Sequence, residues 1–396
     1  MFKLIRQQIT IYRKKRWFIL FLLSFFVIVS LRQAPTVNIS KSKSLEIRGI
    51  WITNYGVALN YYTTRLDEAV ANIAKHRLNT VYPAVWNRGY TLHPSNVAKK
   101  ASGSKQHYLT SLPLLPFQDA LRELVKQTRR QHLRVIPWFE YGLMLPKNHP
   151  ITRRHPEWLT QTASGSKVSK DNNENMSWLN PCQKEVQEFL TDLIVDVVKR
   201  YQVDGIQLDD HFALPVQFGY DAYTINLYKQ EHSGKAPPKN YNNSEWMAWR
   251  AGKLTQLMTK INKEVKAVRK NAVISLSPNS PDFAYSKYLQ DWESWVNKGL
   301  LDEVIVQVYR EDLTSLKSEL KNNDLLRITN KIPVAIGLYT GPFLDAKPID
   351  KLKQEVKIVQ QSAYKGVSFF CWETTLWFFK GGSHDSVEQS FRKLFI

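Results

Sequence analysis

Eight short strand-like runs follow one another along the chain, and amphipathic helical patterns separate them. This alternation is typical of a parallel sheet with crossover helices. Eight successive β/α units favour an α/β fold closed into a single (β/α)8 barrel, the TIM barrel, over an open doubly wound sheet. No glycine-rich loop for a dinucleotide or a phosphate follows any run, so no cofactor is predicted. The predicted strands are 46–53, 80–86, 133–139, 205–209, 272–277, 303–308, 332–338 and 366–372.

The helical patterns between the strands include 65–75, 119–128 and 184–200. The connections after predicted strands two, three and four are long, and in a barrel these loops lie on one face and can wall a cleft for an extended substrate. The loop 211–243 is either a mobile flap or a packed surface excursion. The chain shows no internal repeat and no second set of core-forming segments, so one barrel domain is predicted over residues 45–396.

The amino-terminal segment has the pattern of an export signal. Four consecutive basic residues, 13–16, precede an uninterrupted apolar run at 17–31. The run is long for a signal-peptide core and short for a span of about 20 residues. No convincing cleavage site follows, which favours an uncleaved transmembrane signal anchor over a signal peptide; a buried core helix is the remaining alternative. The prediction is therefore a basic cytoplasmic segment at 1–16, the anchor, and a polar linker at 32–44.

Because the positive flank stays in the cytoplasm, the body of the chain is expected outside it. The expected location is the cell membrane with the body outside, or a secreted or periplasmic location if the signal is cleaved.

The chain carries a formal net charge of +20. Its Lys and Arg residues are scattered over predicted helix faces with no nucleic-acid-binding motif beside them, so no nucleic-acid partner is predicted. Attraction to an anionic surface or polymer, such as membrane lipid or an acidic glycan, is the ordinary consequence of this charge. Two cysteines, Cys182 and Cys371, are too few for a disulfide framework and lack the spacing of a metal site.

The sharpest chemical signal is the segment 203–212. Ile206 and Leu208 alternate with polar residues, so they are expected to pack outward beneath the helices while the polar residues point into the barrel mouth. Asp209 and Asp210 then end the strand. Two adjacent acids at that place are costly to bury together, which indicates that at least one of them is used in chemistry. A helix cap or a salt bridge to a neighbouring Arg is the alternative.

Two further acids end predicted strands: Glu140 in strand three and Glu373 in strand eight. Each lies among aromatic residues, which can raise a carboxyl pKa toward that of a general acid and can stack against sugar rings. Glycoside hydrolysis needs one acid to protonate the leaving oxygen and one carboxylate opposite it. The predicted catalytic residues are Asp209 and Asp210, with Glu140 or Glu373 as proton donor. For either Glu alone, a structural hydrogen-bonding role is the alternative.

Polar and aromatic groups near the other strand ends complete the predicted site. Polar groups after predicted strands five and six are expected to hydrogen-bond sugar hydroxyls, and the tryptophans are either platforms for sugar rings or core filling. The histidines show no H-x-x-x-H or H-x-H spacing, so no metal site is predicted. The predicted substrate-binding residues are Trp51, Trp86, Trp138, His211, Asn279, Gln307, Tyr309 and Trp372.

Five short motifs together resemble the glycosyl hydrolase-like family 10, long catalogued as domain of unknown function 187. They are EIRGIW (46–51), NTVYP (79–83), PWFE (137–140), DGIQLDD (204–210) and QVY (307–309), and the resemblance runs from about residue 45 to 377. It implies a barrel of the glycosidase type, and some members of the family are thought to act on bacterial cell-wall glycan. By likeness to barrel glycosidases more widely, the acid that ends strand four, Asp209, would be the nucleophile or stabiliser. The FCWE sequence that ends strand eight with Glu373 is less typical of the family.

Two hypotheses follow. The first is a glycoside hydrolase that acts on a polysaccharide outside the cytoplasmic membrane, with cell-wall glycan as one candidate. The second is a catalytically idle barrel that binds glycan or a partner as a scaffold, since barrels can lose chemistry while they keep the fold. A close carboxylate pair in an open groove favours the enzyme, whereas carboxylates bound by Arg or Lys favour the scaffold.

Overall fold

A parallel sheet of nine strand segments forms the centre of the structure. The structure is a computed structural model that describes residues 16–20, 33–37, 46–111, 119–171 and 173–395. Every pairing in this sheet is parallel. The strands are β1 (Ile47–Ile52), β2 (Thr80–Pro83), β3a (Arg134–Val135), β3b (Trp138–Phe139), β4 (Gly205–Asp209), β5 (Val273–Ser277), β6 (Glu303–Gln307), β7 (Val334–Tyr339) and β8 (Gly366–Phe370).

The sheet curls until its two end segments come from one short stretch of chain. The strand order is β3a-β2-β1-β8-β7-β6-β5-β4-β3b. The third predicted strand is split because Pro137 has no N–H to give to a ladder. Its neighbour Ile136 donates to Val81 O of β2 at 2.9 Å, and Pro137 O accepts from Gln207 N of β4 at 2.8 Å. Residues 134–139 therefore lie between the two ends of the sheet.

The segments between the strands are mostly helical, as the sequence predicts. Side-chain caps start several helices: Asp119 accepts from the amide of Arg122, Asp221 from that of Thr224, and Asn243 from that of Trp246. The helices are α1 (Asn54–Tyr62), α2 (Leu66–Lys75), α3 (Asn96–Ser102), α4 (Ala120–Arg130), α5 (Pro150–Arg154), α6 (Lys184–Arg200), α7 (Ala222–Glu231), α8 (Ser244–Val268), α9 (Pro281–Tyr288), α10 (Trp292–Asn297), α11 (Leu313–Leu320), α12 (Asn323–Thr329), α13 (Ile349–Gln360), α14 (Trp372–Thr375) and α15 (His384–Leu394).

Apolar side chains pack in two separate layers. Ile206 and Leu208 of β4 join the large cluster between the sheet and the surrounding helices, which confirms the outward direction predicted for them. A smaller cluster fills the concave side of the sheet, and it includes Trp51, Tyr82 and Trp138. The concave side is thus a packed core.

Polar groups on the concave side are paired in two sets. Trp51 Nε1 donates to Gln207 Oε1 at 2.7 Å, and Gln207 Nε2 donates to Ser275 Oγ at 3.0 Å. Near the amino-terminal ends of the strands, Glu303 accepts from Tyr82 Oη at 3.0 Å and from Arg134 Nη2 at 2.8 Å. Pairing of this kind removes most of the cost of burying polar atoms.

Strand eight is shorter than predicted, and this changes the position of Glu373. The strand stops at Phe370, and the chain turns at Cys371 into the short helix α14. Thr374 Oγ1 donates to Cys371 O at 3.3 Å in that turn. The sequence predicted Glu373 at the end of the strand. The structure places it instead on the short helix that follows the strand.

The excursion after β4 is packed, which agrees with one of the two interpretations of loop 211–243. It contains α7, and the side chains of Phe212, Leu214 and Phe218 are fully buried. Arg250 of α8 is also buried, and its guanidinium donates to the carbonyl oxygens of Val216 and Phe218.

Most of the predicted amino-terminal segments lie outside the described residues. Of the anchor at 17–31 the structure describes only 17–20, and no helix among the described residues is long and apolar enough to span a membrane. The described part of the linker, 33–37, lies against the folded body. Val37 N donates to Gln131 Oε1 at 2.9 Å, and Gln131 Nε2 donates to Pro35 O at 3.0 Å.

The close approach of β4 and β5 generates a stability prediction. A Cβ on Gly205 would overlap the backbone carbonyl oxygen of Val273, whereas a Cβ on Gly252 of α8 would meet no atom within 4 Å. We expect Gly205→Ala to lower the free energy of unfolding by about 3 kcal/mol, because backbone has to move. Gly252→Ala should leave it unchanged or raise it by up to about 1 kcal/mol. Thermal unfolding followed by circular dichroism measures both, and equal effects would contradict the β4–β5 packing.

Candidate active site

Asp209 and Asp210 lie together at the carboxyl-terminal end of β4. The side chain of Asp209 is 3 % exposed and that of Asp210 is 23 % exposed. Gln307 Nε2 donates to Asp209 Oδ1 at 2.7 Å, and Asn279 Nδ2 donates to Asp210 Oδ2 at 2.9 Å. Each carboxylate is therefore oriented by an amide from another strand end: Asn279 follows the adjacent strand β5, and Gln307 ends β6, the next strand along the sheet.

His211 supplies the positive charge next to this pair. Its Nδ1 is 3.2 Å from Asp210 Oδ1 and 3.9 Å from Asp209 Oδ2. Burial by itself lowers the pKa of His211, but Asp210 and Asp209 outweigh burial and raise that pKa to about 10. The imidazole is thus protonated at neutral pH. Its ring also stacks on Tyr141, with centroids 5.5 Å apart, which fixes its orientation.

Glu140 follows β3b and faces the same group of acids. Asn87 Nδ2 donates to Glu140 Oε2, and the backbone oxygen of Glu140 lies 3.2 Å from His211 Nδ1. Burial, followed by the charge of Asp209, raises the pKa of Glu140 to about 8 against the opposing hydrogen bond from Asn87. Burial and then Asp210 likewise raise the pKa of Asp209 to about 7. Glu140 is therefore the group that keeps a proton at neutral pH.

The predicted polar groups of strands five and six do reach this site, but their direct partners are the carboxylates. Gln307 also donates to Ser277 O at 3.0 Å, so its amide bridges β5 and Asp209. Tyr309 is half-buried and stacks on Phe370, with ring centroids 5.9 Å apart. Burial, then Asp209 and Asp210, raise the pKa of Tyr309 well above its ordinary value. The phenol therefore stays neutral and available as a hydrogen-bond donor.

Glu373 lies in a different environment from the other three acids. Its Oε1 accepts from Thr53 N at 3.1 Å and from Thr53 Oγ1 at 2.6 Å, at the amino terminus of α1. Burial raises the pKa of Glu373. The contacts of Glu373 are those of the structural hydrogen-bonding role that the sequence left open.

The four predicted tryptophans are all interior residues, at most 3 % exposed. Trp51 donates to Gln207, Trp86 Nε1 donates to Gly142 O at 3.1 Å, and Trp372 stacks on Trp377. Their placement agrees with core filling rather than with open platforms. Trp138 Nε1 is buried without a hydrogen-bond partner among the described residues.

Two groups at the site were not predicted from the sequence. Asn87 donates a hydrogen bond to the carboxyl group of Glu140, and the ring of Tyr141 stacks on the imidazole of His211. Asn87 lies in a hairpin formed by Trp86–Asn87 and Tyr90–Thr91, with Gly89 at φ 85° in the turn. The sequence WNRGY at 86–90 carries this signal, because an Asn followed two residues later by Gly is typical of a tight turn.

Three neighbouring groups at the site offer ligand atoms for a metal ion. Asp209, Asp210 and His211 place one such atom each within 4.8 Å of one another, and within the described ranges they are the only such group of three. The imidazole contacts both carboxylates through Nδ1 and is protonated there, so the set acts as an ion-pair cluster rather than as a set of free ligands. Both cysteines, Cys182 and Cys371, are free thiols.

The sequence of residues 46–359 matches the family Glycosyl hydrolase-like 10. The chain belongs to this family. The match confirms the resemblance seen in the five motifs. Among curated proteins, the chain is 23 % identical over 302 residues to glycosyl hydrolase YngK of Bacillus subtilis, which covers 67 % of this chain and 54 % of that protein. It is 24 % identical over 313 residues to glycosyl hydrolase DigH of Escherichia coli K12, covering 68 % and 67 %. The chain thus spans only about half the length of the Bacillus protein.

Solved structures show the same fold at low sequence identity. The glycoside hydrolase domain of PgaB (BpsB) from Bordetella bronchiseptica has a TM-score of 0.62 and 11 % identity, with 82 % of this chain and 94 % of that domain covered. The catalytic domain of a β-amylase from Paenibacillus polymyxa has a TM-score of 0.59 and 8 % identity, with coverage of 89 % and 100 %. An α-L-fucosidase from Paenibacillus thiaminolyticus gives 0.59 and 12 %, with coverage of 88 % and 49 %.

The placement of Glu373 generates a prediction that separates it from the site. Glu373→Ala leaves two donors of Thr53 without an acceptor and opens a cavity, so we expect the free energy of unfolding to fall by about 3 kcal/mol. Glu185→Ala, on the exposed first turn of α6, should change it by less than about 0.5 kcal/mol. Chemical denaturation measures both. An unchanged free energy of unfolding for Glu373→Ala would show that its hydrogen bonds to Thr53 do not stabilise the amino terminus of α1.

Proposed function

We propose that the protein is a glycoside hydrolase that uses a (β/α)8 barrel to cleave an extracytoplasmic polysaccharide. The observation that carries the proposal is the pairing of Glu140, whose pKa is raised to about 8, with the adjacent acids Asp209 and Asp210 at one end of the sheet. Membership of a glycosyl hydrolase-like family and the fold of the solved glycosidases support it. Hydrolysis of a glycosidic bond needs one protonated and one ionised carboxyl group.

In this proposal Glu140 donates the proton to the leaving oxygen. Its burial keeps the carboxyl group protonated at neutral pH, and the amide of Asn87 fixes Oε2. A donor with a pKa near the working pH is the most effective general acid. Glu373 is the less suitable proton donor, because its Oε1 already accepts two hydrogen bonds from Thr53 and because it lies on α14.

Asp209 is the proposed nucleophile or stabiliser of the oxocarbenium-like transition state. Gln307 holds its Oδ1, while its Oδ2 has only the distant contact with His211 at 3.9 Å. Both oxygens of Asp210 are held more closely, by Asn279 and by His211. Asp210 is therefore the proposed positioning residue that keeps the imidazolium beside Asp209.

Among the described residues, no Lys or Arg side chain forms a salt bridge with the three acids, and this favours an enzyme over a scaffold. Within the described part of the chain, no Lys or Arg forms an ion pair with Asp209, Asp210 or Glu140. A binding scaffold would gain nothing from three acids held this close, since each raises the cost of ionising the next. Among the residues that the structure describes, His211 carries the one positive charge that contacts Asp209 and Asp210.

Cell-wall glycan is the proposed substrate, and the outer side of the cytoplasmic membrane is the proposed place of action. The basis is the apolar run 17–31 behind a basic flank, together with the net charge of +20, which suits an anionic surface. Incubation of the purified protein with peptidoglycan and a panel of polysaccharides, followed by mass detection of products, tests the activity. Unchanged masses across the panel would overturn the proposal.

The pKa shifts set an expected pH dependence. Activity should rise as pH increases through about 7, where Asp209 loses its proton, and fall as pH increases past about 8, where Glu140 loses the proton that it must donate. We expect a bell-shaped profile of kcat/KM with a maximum between these values. In Glu140→Gln the alkaline limb should disappear, while activated aryl glycosides, which need no proton, should still be cleaved. An alkaline limb that survives in Glu140→Gln would exclude Glu140 as donor.

Removing the charge of Asp209 should affect turnover and not folding. Asp209→Asn keeps the shape and the hydrogen bond to Gln307 but removes the charge opposite the developing oxocarbenium ion. If that charge contributes about 4 kcal/mol, turnover falls about a thousandfold. Thermal unfolding should change little, because burial disfavours the ionised form of Asp209. Near-parental hydrolysis by Asp209→Asn would refute its role.

A further inference from the structure

A cluster of aromatic rings lies around the hairpin that carries Asn87. Tyr90 packs edge-on against His149 at 4.6 Å and against His107 at 5.4 Å, between ring centroids. His107 in turn lies 4.3 Å from Tyr108 and 6.1 Å from Tyr55. We call Tyr55, Tyr90, His107 and Tyr108 the aromatic arm; His149 supports it from below.

The arm is joined to the proposed proton donor through one hairpin. Asn87 and Tyr90 are opposite each other in the antiparallel pair Trp86–Asn87 and Tyr90–Thr91. Asn87 Nδ2 donates to Glu140, and Asn87 Oδ1 is buried without a partner among the described residues. Residues directly opposite in such a pair lie about 5 Å apart, so the arm begins within one sugar length of the amide that holds Glu140.

The rings of the arm differ sharply in exposure. Tyr108 is 62 % exposed and Tyr55 is 53 % exposed, whereas His107 and His149 are buried. Each buried imidazole also accepts a backbone hydrogen bond at 3.2 Å, His107 from Leu109 N and His149 from Ile151 N. The two histidines therefore fix the loops, and the two outer tyrosines present their rings to solvent.

The arm is electrically neutral. Burial lowers the pKa of His149 to about 4 and lowers the pKa of His107 as well, so both imidazoles are uncharged at neutral pH. Arg88, which lies in the same hairpin as Tyr90, is paired with Glu174 and lies over the ring of Tyr141 at 6.0 Å. A neutral aromatic surface suits the apolar faces of uncharged pyranose rings rather than an acidic ligand.

We propose that the aromatic arm is a distal subsite that stacks neutral sugar units of the polysaccharide on one side of the bond to be cleaved. The proposal rests on the function proposed above and adds where the chain of sugars lies. Core packing does not account for the arm, because it would bury Tyr55 and Tyr108. The path from Asn87 over Tyr90 to Tyr108 is long enough for two or three sugar units, since the last two ring steps alone measure 5.4 and 4.3 Å.

The first experiment measures kcat/KM against oligosaccharide length for the full-length protein and for Tyr108→Ala. We expect Tyr108→Ala to lower kcat/KM about tenfold on long substrates, the factor given by about 1.4 kcal/mol of ring stacking. The value for aryl glycosides, which cannot reach the arm, should not change. Tyr55→Ala combined with Tyr108→Ala should lower it about a hundredfold on long substrates. Tyr108→Phe should behave like the parent.

The matched control is Tyr223→Ala, which removes a 41 % exposed tyrosine from α7, outside the arm. It should leave kcat/KM unchanged at every substrate length. Equal losses for short and long substrates in Tyr108→Ala, or no loss on long ones, would overturn the arm.

The second experiment separates the arm from the catalytic proposal. Asp209→Asn, with and without Tyr108→Ala, is sedimented with insoluble peptidoglycan and with insoluble neutral polysaccharides, and the bound fraction is measured. Binding by Asp209→Asn that weakens about tenfold on adding Tyr108→Ala supports the arm, even if the parent protein cleaves nothing and the catalytic proposal fails. Binding that Tyr108→Ala does not alter, or no binding to any of these solids, overturns the arm.

Discussion

The site depends on a single imidazolium held among three acids, of which Asp209 is buried and Asp210 and Glu140 are half-buried. Asp209, Asp210 and Glu140 converge at one end of the sheet, where burial and the neighbouring acids raise the pKa values of Glu140 and Asp209. His211 reaches both aspartates through one nitrogen, and no other described basic side chain pairs with them. Burial and the neighbouring acids raise the pKa of Glu140 to about 8 and that of Asp209 to about 7, so Glu140 holds its proton to the higher pH, which is the asymmetry that acid–base cleavage of a glycoside requires.

The concave side of the sheet supports this arrangement from below. Gln207 lies two residues before Asp209 in β4, on the same face of the strand. Its side-chain amide is hydrogen-bonded to Trp51 and to Ser275. Gln307 plays a similar part closer to the carboxyl-terminal ends of the strands. Its side-chain amide donates to Ser277 O and to Asp209 Oδ1. Amides suit these positions because they donate and accept without adding charge. The carboxylates are consequently oriented by groups that do not compete with His211 for their charge.

The sequence predicted well those features that depend on the local spacing of apolar and polar residues. Eight strand-like runs and a helix such as α6 can be predicted because apolar side chains must repeat at the period of the element. The inward and outward sides of β4 follow from the same rule. The split of the third strand was missed, although Pro137 marks it. Glu373 was misplaced because the turn into α14 depends on hydrogen bonds around Cys371, which no short-range pattern reveals.

The site was only partly accessible from the sequence for the same reason. Acids at strand ends can be recognised, and Asp209, Asp210 and Glu140 do meet. Their partners come from other loops: Asn87 is 53 residues away from Glu140, and Gln307 is 98 residues away from Asp209. Which tryptophans fill the interior is likewise decided by packing between strands, so chemical type alone could not separate platforms from core.

The pairing of β8 has a consequence for how the chain reaches its final state during synthesis. This strand joins β1 on one side and β7 on the other, and the following helix contributes Glu373 to Thr53, 320 residues away. Until residues 366–373 have left the ribosome, β1 and β7 both present unpaired edges, and the first helix lacks the acceptor at its amino terminus. Segments near the two ends of the folded body therefore become ordered together, and a nascent chain that stops short of β8 keeps two unpaired strand edges.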